Sequence, residues 1–487
     1  MKQMSSRALR SVASVAAGGM VLARSSRPVS KLLDPDLPPH LTGDIDRDLL
    51  LTSGTGGRVR AKDLEVPTVT DTTIAFTWAT YGKEVRTPYG PARHTVGSNT
   101  VVLMGPADGG PMRVVYNDDT PRGVHHAVVR GLDPDRSYRF ECWSNGYRAT
   151  PSLVATRRMG APEMTGVIRT LRRPAGDFIE TIAVTNDTHI GKTNHSRLTS
   201  PDADGLDFPE MQLEGLVAAA KEDGASALVV NGDCTDTNTA DQVRTFRKLM
   251  NEFGEQDKDW FAVRGNHDNF TPGRKNTKKS NKKGIKAGDD VEDNFGDYFT
   301  GRQQHWSSRV GGLRLLGVDT ADIFEDGGYI SPEQMDALRA DLLSDPDRPT
   351  IMFGHHPVTM CAGTSNMGGS DFILGQDMSL ELQDIMAKSP GVMSMYAGHT
   401  HRTRRGSADI GSADFGERGA SLGYPGGYTL IHVYTGGYMV TYHRIPARDS
   451  LDWSGHTRWS MFGMEPEYML GSLSDRNYTV DMDLSGL

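Results

Sequence analysis

The sequence predicts an α/β domain in the C-terminal part of the chain, preceded by a smaller all-β sandwich. Between residues 61 and 160, short alternating or β-branched runs are separated by Gly, Pro, Asp and Asn. This pattern is typical of a sandwich of about 100 residues. After residue 178, apolar runs alternate with amphipathic segments, which indicates strands of a buried sheet connected by helices.

The all-β region carries one specific structural signal besides its alternating strands. Thr73–Trp78 alternates, with its large apolar side chains on one face. Gly131–Pro134 is followed by Tyr138 in an alternating run, a pattern that predicts a tyrosine corner. We therefore expect the Tyr138 hydroxyl to form a hydrogen bond with the backbone of the corner. Residues 61–160 resemble a fibronectin type III domain.

The α/β region can be divided into strands and helices from its periodicity. The predicted strands are 182–185, 227–231, 261–264, 313–318, 350–353 and 393–397. The predicted helices are 208–222, 241–253, 331–344 and 378–388. Pro209 and Pro332 stand where first-turn prolines are expected. Residues 428–434 and 438–444, on either side of a glycine pair, predict a hairpin.

Composition and charge exclude several functional classes. The net charge of the 487 residues is −9, which argues against a general nucleic-acid coat protein. The three cysteines are an odd number without C-x-x-C spacing, so neither a disulfide framework nor a cysteine metal site is expected. No apolar run reaches the roughly 18–20 residues of a membrane span, so no transmembrane segment is expected.

The N-terminus predicts export. Arg7 and Arg10 precede a weakly apolar stretch of small residues, 11–23, so residues 1–30 are interpreted as an export signal. The alternative is a disordered tail on a cytoplasmic protein. Residues 31–60 are rich in Pro, Ser, Asp and Gly and are interpreted as a linker or arm.

Metal-capable residues follow five of the predicted strands, at the point where each strand ends. The five sequences are Asp187-Thr188-His189, Gly232-Asp233-Cys234-Thr235-Asp236, Gly265-Asn266-His267-Asp268, Gly354-His355-His356-Pro357 and Gly398-His399-Thr400-His401. Each sequence alone is a weak signal, because such residues are common in loops. In open α/β sheets ligands bind outside the carboxyl ends of the strands, so five such loops predict one shared site.

The residue types in these loops predict a dinuclear metal centre. Carboxylate, imidazole and amide oxygen suit zinc, manganese or iron. An Asp can bridge two metals, and two metals about 3.5–4 Å apart can clamp an in-line phosphoryl displacement. The glycines that precede four of the metal-capable residues allow close backbone approach. We therefore expect two bound metal ions (manganese, iron or zinc) and a small phosphate ester as substrate.

The order of these motifs resembles the calcineurin-like metallophosphoesterase superfamily over residues 178–446, which leaves 447–487 as a C-terminal extension. The resemblance implies a four-layer α/β/β/α sandwich. The ligands that it implies are Asp187, His189 and His401 for the first metal, Asn266, His355 and His399 for the second, and Asp233 as the bridge between them.

The same resemblance implies roles for neighbouring residues. A metal-bound hydroxide would attack phosphorus, because coordination lowers the pKa of bound water to near neutrality. His267 would stabilise the transition state or protonate the leaving oxygen, and Asp268 would orient His267. His356 and Arg402 are further candidates for substrate contact, although His356 could also buttress the site. His195 is interpreted as a surface histidine.

The motifs also favour one branch of the superfamily. A fibronectin III-like domain ahead of the catalytic domain resembles the layout of purple acid phosphatases. That family, however, has a tyrosine where Asp236 stands here and lacks the ligand that His189 supplies. The D-x-H, G-D-x-x-D and G-N-H-D motifs look more like class III cyclic-nucleotide phosphodiesterases, so a phosphodiesterase is predicted. The alternatives are an acid-phosphatase-like phosphomonoesterase and a catalytically inactive metal-binding surface protein.

Residues 271–300 form a polar insertion directly after G-N-H-D, basic in its first part and acidic in its second. The preferred interpretation is a solvated loop. The alternative is a basic flap that attracts an anionic substrate.

Overall fold

The computed structural model describes residues 59–82, 85–87, 90–92, 95–151, 160–195, 205–269, 293–322, 326–458 and 465–487. The chain divides into two compact units, Met1–Arg173 and Pro174–Leu487. The predicted export signal, nearly all of the predicted arm and the basic part of the insertion lie outside the described residues.

The first unit is built from strands. These are β1 (Arg60–Val69), β2 (Thr73–Tyr81), β3 (Val85–Thr87), β4 (Gly90–Ala92), β5 (Ser98–Pro106), β6 (Arg113–Arg122), β7 (Val124–Arg130), β8 (Ser137–Ser144), β9 (Tyr147–Arg148) and β10 (Val167–Arg169), with the short helix α1 (Pro162–Thr165) before β10. One sheet has the order β1-β2-β7 and the other β10-β8-β5-β6. Because β10 pairs with β8, the sandwich extends past the predicted boundary at residue 160.

The two sheets of this unit face each other across an apolar core with a few buried polar contacts. The rings of Phe76 and Phe140 lie 4.7 Å apart between their centroids, and Trp78 Nε1 donates to Ser144 Oγ at 2.8 Å. The predicted tyrosine corner is confirmed, because the backbone N–H of Asp133 donates to the Tyr138 hydroxyl at 2.9 Å.

The second unit contains strands and helices in alternation. Its strands are β11 (Ala175–Thr185), β12 (Ala227–Asn231), β13 (Trp260–Val263), β14 (His305–Val310), β15 (Leu313–Val318), β16 (Thr350–Gly354), β17 (Val392–Ala397), β18 (Arg404–Ser407), β19 (Asp414–Glu417), β20 (Gly427–Arg444) and β21 (Tyr478–Asp481). Its helices are α2 (Phe208–Glu222), α3 (Ala240–Met250), α4 (Pro332–Ser344), α5 (Met360–Ser365), α6 (Gln376–Ala387), α7 (Arg448–Thr457), α8 (Glu465–Leu470) and α9 (Leu473–Arg476), with 3₁₀ turns at His267–Asn269 and Gly369–Phe372.

These elements form two sheets with helices on their outer faces. The sheet orders are β13-β12-β11-β20-β21 and β14-β15-β16-β17-β19-β18. Because side chains alternate along a strand, Val229 of β12 packs between the sheets while Leu228 packs toward α2 and α3. In the second sheet Leu315 packs between the sheets and Leu316 toward α4 and α6. The layers are therefore helix, sheet, sheet and helix.

The predicted strands and helices of this unit are confirmed, and the main differences lie at their ends. Strands 227–231 and 313–318 and helix 208–222 have the predicted bounds. β11 begins earlier than predicted, at Ala175, because its first residues pair with the distant strand β20, which no local pattern indicates.

The predicted hairpin around Gly436-Gly437 is wrong. Residues 427–444 form one continuous strand, whose first part pairs with β11 and whose part from Gly437 pairs with β21. The glycines mark the change of partner: a Cβ on Gly437 would lie 2.1 Å from the Val480 carbonyl oxygen. Close approach of a neighbouring strand, rather than a turn, accounts for them.

The last residues of the chain belong to the second unit. β21 extends the first sheet beside β20. Helix α7 contacts α2, where Gln212 Nε2 donates to the Ser450 carbonyl oxygen at 3.3 Å. Among the described residues, no helix has the length and apolar character needed to cross a membrane.

The tyrosine corner can be tested by removing one oxygen atom. Tyr138→Phe takes away the acceptor of the Asp133 N–H, so we expect the free energy of unfolding to fall by about 1 kcal/mol. Tyr147→Phe, in β9 of the same sheet, is the matched control. Denaturant unfolding followed by fluorescence measures both, and an equal loss in the two variants would contradict a specific role for Tyr138.

Candidate metal centre

Five loops meet where the strands of the two sheets end. Three follow β11, β12 and β13, and two follow β16 and β17. The strands within each group are parallel, so their carboxyl ends lie on one edge. The structure brings together the side chains of all seven predicted ligands, Asp187, His189, Asp233, Asn266, His355, His399 and His401.

On one side of the site, the ligand atoms of Asp187, His189 and His401 all lie within 4.8 Å of one another. His401 Nε2 is 3.2 Å from Asp187 Oδ1 and 3.4 Å from His189 Nε2. Asp187 is fully buried, and its carboxylate accepts hydrogen bonds from the Asn186 amide and the backbone N–H of His399. This group corresponds to the first of the two predicted metal positions.

On the other side, Asn266, His355 and His399 converge. His355 Nε2 lies 3.0 Å from Asn266 Oδ1 and 3.2 Å from His399 Nδ1. His355 Nδ1 donates to the backbone carbonyl oxygen of Asn231 at 2.8 Å. Because a carbonyl only accepts, this contact leaves Nε2 of His355 as the ring atom that faces the site.

Asp233 lies between the two groups. Its Oδ1 is 3.4 Å from His355 Nε2 and its Oδ2 is 3.5 Å from His189 Nε2. The residue is buried, with 2% of its surface exposed. The two oxygens of one carboxylate therefore face one histidine from each side, which is the arrangement that a bridging ligand requires.

The charges of the site are tightly balanced. Burial alone would raise the pKa of Asp233, but the charges of His355 and His267 hold it well below its usual value. Burial would likewise lower the pKa of His355, yet the charge of Asp233 raises it to about 9. A buried carboxylate needs a positive partner. A bound metal ion would supply that charge in place of the proton on His355.

The remaining donors also fit metal ions. Burial lowers the pKa of His189 to about 4 and that of His399 well below its usual value. Both are thereby neutral imidazoles, the form that binds metal. Carboxylate, imidazole and amide oxygen atoms arranged around one shared carboxylate suit zinc, manganese or iron.

The backbone of the ligand loops is strained. Five of the ligands have left-handed φ angles, namely Asp187 (51°), His189 (46°), Asp233 (49°), His399 (65°) and His401 (55°). This conformation costs roughly 1–2 kcal/mol for a residue other than glycine, and such residues cluster at functional sites. Hydrogen bonds between loops maintain it, since the N–H of Asp187 donates to the Gly232 carbonyl and that of His189 to the Asp233 carbonyl.

The glycines of the motifs are required by close packing, as predicted. A Cβ on Gly265 would lie 2.0 Å from the backbone nitrogen of Asp233. A Cβ on Gly232, whose φ is +83°, would lie 2.5 Å from His355 Nδ1. Any larger residue at these positions would displace a ligand.

His267 lies on the solvent side of the cluster. Its backbone N–H donates to Asp233 Oδ1 at 2.8 Å, and its ring meets that of His189 edge-on, with 4.6 Å between centroids. The side chain of His267 is 30% exposed and that of the predicted ligand His401 is 31% exposed, whereas the six remaining predicted ligands are buried. These two histidines therefore mark the open side of the site.

Asp268 does not contact His267 in the way that we predicted. Its carboxylate accepts hydrogen bonds of 2.8–3.1 Å from backbone N–H groups of two loops and from the Thr235 hydroxyl. His267 Nδ1 instead donates to the backbone carbonyl oxygen of Asp236 at 2.7 Å. Burial and the charge of Asp233 raise the pKa of Asp268 to about 6. Asp268 thus ties the Asp233 loop to the Asn266 loop.

His356 and Arg402 have partners inside the protein. His356 is buried, with Nδ1 3.0 Å from Thr320 Oγ1 and its ring 4.5 Å from that of His399 between centroids. The Arg402 guanidinium donates at 2.8 Å to each carboxylate oxygen of Glu417. His356 therefore packs behind the second of the predicted metal positions, and the Arg402 side chain forms an internal ion pair with Glu417.

His195 differs from the surface histidine that we expected. It is half-buried, with its ring 6.1 Å from that of Phe208 and 6.0 Å from that of Trp453. Burial lowers its pKa to about 3. The long polar segment around it gave no signal of this packing, because its aromatic neighbours are distant in sequence.

Some residues that position the site were missed by the sequence analysis. Arg264 is buried and donates to both carboxylate oxygens of Asp293, at 2.7 and 2.9 Å, and to the Asp268 carbonyl. The sequence signal for Arg264 was a charged residue at the end of a predicted buried strand. Lys192 Nζ donates to Asp236 Oδ1 at 2.9 Å. No local pattern indicates that contact.

These features together define a metal-dependent phosphoesterase type of site. Residues 180–403 match the model of the calcineurin-like phosphoesterase family. This match covers a little less than half of the chain, and it supports a hydrolase that acts on phosphate esters.

Similar proteins include two curated bacterial relatives. The probable glycerophosphodiester phosphodiesterase GpdQ of Arcobacter nitrofigilis is 24% identical over 178 residues, which are 36% of this chain and 56% of that protein. The 3′,5′-cyclic adenosine monophosphate phosphodiesterase CpdA of Pseudomonas aeruginosa is 25% identical over 234 residues, 47% of this chain and 72% of that protein. The chain thus spans little more than half the length of the first relative.

Similarity to solved structures is weaker. The purple acid phosphatase PPD1 from yellow lupin (Lupinus luteus) seeds aligns with a TM-score of 0.40 and 13% identity, over 80% of this chain and 72% of that chain.

The bridging position of Asp233 can be tested by metal content. Asp233→Asn removes the charge that both halves of the site share, so we expect less bound metal at both positions. Elemental analysis of protein incubated with manganese and then dialysed measures the stoichiometry. Asp336→Asn, on the exposed face of α4, is the control. Two metals retained at full stoichiometry in Asp233→Asn would rule out the bridge.

Proposed function

We propose that the second unit hydrolyses phosphate diesters at a dinuclear metal centre, with Asp233 as the bridging ligand. The observation that carries this proposal is the position of the Asp233 carboxylate, whose two oxygens face His355 and His189. A single carboxylate between two groups of metal-binding side chains is the arrangement expected of a two-metal site.

When bound, the two metals lower the pKa of water and polarise the phosphoryl oxygens. The chain itself contributes the geometry. Asp187 and Asp233 hold negative charge inside a buried site, and the strained loops keep the imidazole nitrogens facing one another at 3.2–3.4 Å. Burial excludes bulk water, which strengthens every electrostatic contact within the site.

His267 is proposed as the residue that acts on the substrate. Its Nδ1 carries a hydrogen, because it contacts a backbone carbonyl that can only accept. Nε2 is therefore the ring atom that faces the substrate, and in the form of the ring protonated on both nitrogens it would donate to a phosphoryl oxygen or give a proton to the leaving oxygen. Its 30% exposure, on the open side of the site, is consistent with contact to a bound substrate.

Two kinds of observation favour a diester over a monoester. Both curated relatives described above are named as phosphodiesterases, although each is only about a quarter identical. The motifs also differ from those of the purple acid phosphatases, which resemble this chain in layout. His189 lies in the first ligand group here, and Asp236 occupies the position where that family has tyrosine. A phosphomonoesterase is the second candidate, favoured only by a similar two-unit layout.

We further propose that the first unit is a fibronectin III-like module. Its strand orders, β1-β2-β7 and β10-β8-β5-β6, and the hydrogen bond from Asp133 to the Tyr138 hydroxyl support this assignment.

The reaction class can be tested with two chromogenic substrates. Metal-stripped protein is refilled with manganese, zinc or iron and given bis-p-nitrophenyl phosphate or p-nitrophenyl phosphate. We expect metal-dependent cleavage of both, with a larger kcat/KM for the diester. A larger value for the monoester would support the phosphomonoesterase instead. No metal-dependent cleavage of either ester would contradict the proposal.

The role of His267 can be separated from metal binding. His267→Ala should retain the metal stoichiometry of the natural protein, because the ring of His267 lies beside the ligand groups and its backbone N–H is kept. We expect kcat for the diester to fall by ~10²–10⁴-fold. His305→Ala, in the edge strand β14, serves as the control. Unchanged turnover in His267→Ala would exclude this role.

A further inference from the structure

We propose that Phe372 forms the wall of a subsite for an aromatic ester group, and that it thereby sets a preference among diester substrates. This inference rests on the dinuclear centre and the diester cleavage proposed above. It names the chemical class of one of the two ester groups, which is a planar aromatic group without charge.

Phe372 lies directly on a predicted metal ligand. Its ring stacks on that of His399, with 3.8 Å between the centroids and 29° between the planes. His399 Nδ1 faces the site, at 3.2 Å from His355 Nε2. Phe372 is half-buried, so part of the residue remains accessible from solvent. An aromatic side chain therefore stands at the surface beside the second of the predicted metal positions.

The neighbouring chain fixes the Phe372 ring in this place. The two residues that follow it, Ile373 and Leu374, are buried. The N–H of Leu374 donates to the Pro357 carbonyl at 2.9 Å, which ties this segment to the loop after β16. The ring also packs on the backbone of Gly368, where a Cβ would lie 2.5 Å from Phe372 Cγ. Phe372 is thus held from both sides along the chain.

Two contacts from outside anchor the helix and turn that precede Phe372. The Arg402 guanidinium donates to the Ser365 carbonyl at 2.6 Å and to the Ser365 hydroxyl at 3.0 Å, at the C-terminal end of α5. The N–H of Met367 donates to the hydroxyl of Tyr468, in α8, at 3.2 Å. The segment that carries Phe372 is therefore a preformed surface, which binds a ligand at a lower entropic cost than a free loop would.

The charges of this segment favour an uncharged ester group. Residues 359–372 contain no Lys or Arg and a single acidic residue, Asp371. A phenylalanine ring offers a ligand dispersion and stacking contacts. A second phosphate or a carboxylate on the ester group would find no positive partner on this segment. A flat, uncharged aromatic group is the class that fits.

The position of Phe372 also indicates which ester group it contacts. The ring of His267 meets that of His189, which belongs to the first ligand group. Phe372 instead lies on His399, which belongs to the second. Because the leaving oxygen is assigned to His267, the group beside Phe372 is the ester group that stays on phosphorus after cleavage.

Binding of two phosphonates tests this subsite without turnover. Manganese-loaded full-length protein is titrated in a calorimeter with phenylphosphonate and with methylphosphonate, neither of which contains an ester bond. We expect the natural protein to bind phenylphosphonate ~3–10-fold more tightly, as one aromatic contact typically contributes. Phe372→Ala should lose this preference and retain its metal content. Equal affinities in the natural protein, or a preference that persists in Phe372→Ala, would overturn the proposal.

Two further variants separate ligand recognition from support of His399. Phe178→Ala, which removes an exposed ring at the start of β11, is the matched control and should keep the natural preference. Phe372→Leu keeps apolar bulk against His399 without an aromatic face, so it should retain metal and lose most of the preference. It decides by the same criterion if Phe372→Ala does not fold. Loss of metal from both Phe372 variants would show that Phe372 only supports His399, and would overturn its assigned role.

Two diesters with a common leaving group test the assignment to the retained ester group. Methyl p-nitrophenyl phosphate and phenyl p-nitrophenyl phosphate both release p-nitrophenolate. We expect Phe372→Ala to lower the phenyl-to-methyl ratio of kcat/KM by ~3–10-fold. An unchanged ratio would overturn the assignment to the retained group. A protein that shows the phosphonate preference but cleaves no diester would contradict only the proposed function.

Discussion

The rest of the site depends on the burial of two carboxylates, Asp187 and Asp233, where two sheets end. Neither could remain ionised there without positive charge close by, because removal from water strongly disfavours the charged form. The histidines around them supply that charge in part, as the raised pKa of His355 shows. The pair of metal ions that we propose would satisfy the same requirement, and it would account for the imidazoles that face one another across the site.

Holding these groups together requires support from outside the ligand set. Five ligands have left-handed backbones, a conformation that would relax if the loops were free. Asp268 ties two of the loops together through their backbone N–H groups, and Arg264 anchors the turn that follows β13. Asp268 and Arg264 therefore stabilise the backbone of the ligand loops.

The sequence indicates some parts of the site and not others, for physical reasons. The ligand loops were found because strand ends and metal-capable residues lie next to one another along the chain. The role of Asp268 was not, because three of its four hydrogen bonds join it to Cys234 and Thr235, which are 33 or 34 residues away in the chain. The hairpin prediction failed at Gly437 for a related reason, since a glycine required by a neighbouring strand has the same local pattern as a glycine in a turn.

The sequence by itself determined the alternation of strands and helices, the five loops and the identity of the donor atoms. These follow from side-chain period and from the rule that parallel strands end on one edge. Only the tertiary structure decided which sheets meet, how Asp233 divides its oxygens between His355 and His189, and which group orients each imidazole. Such contacts join residues far apart in the chain, and hydrogen bonds of this kind leave no periodic trace in sequence.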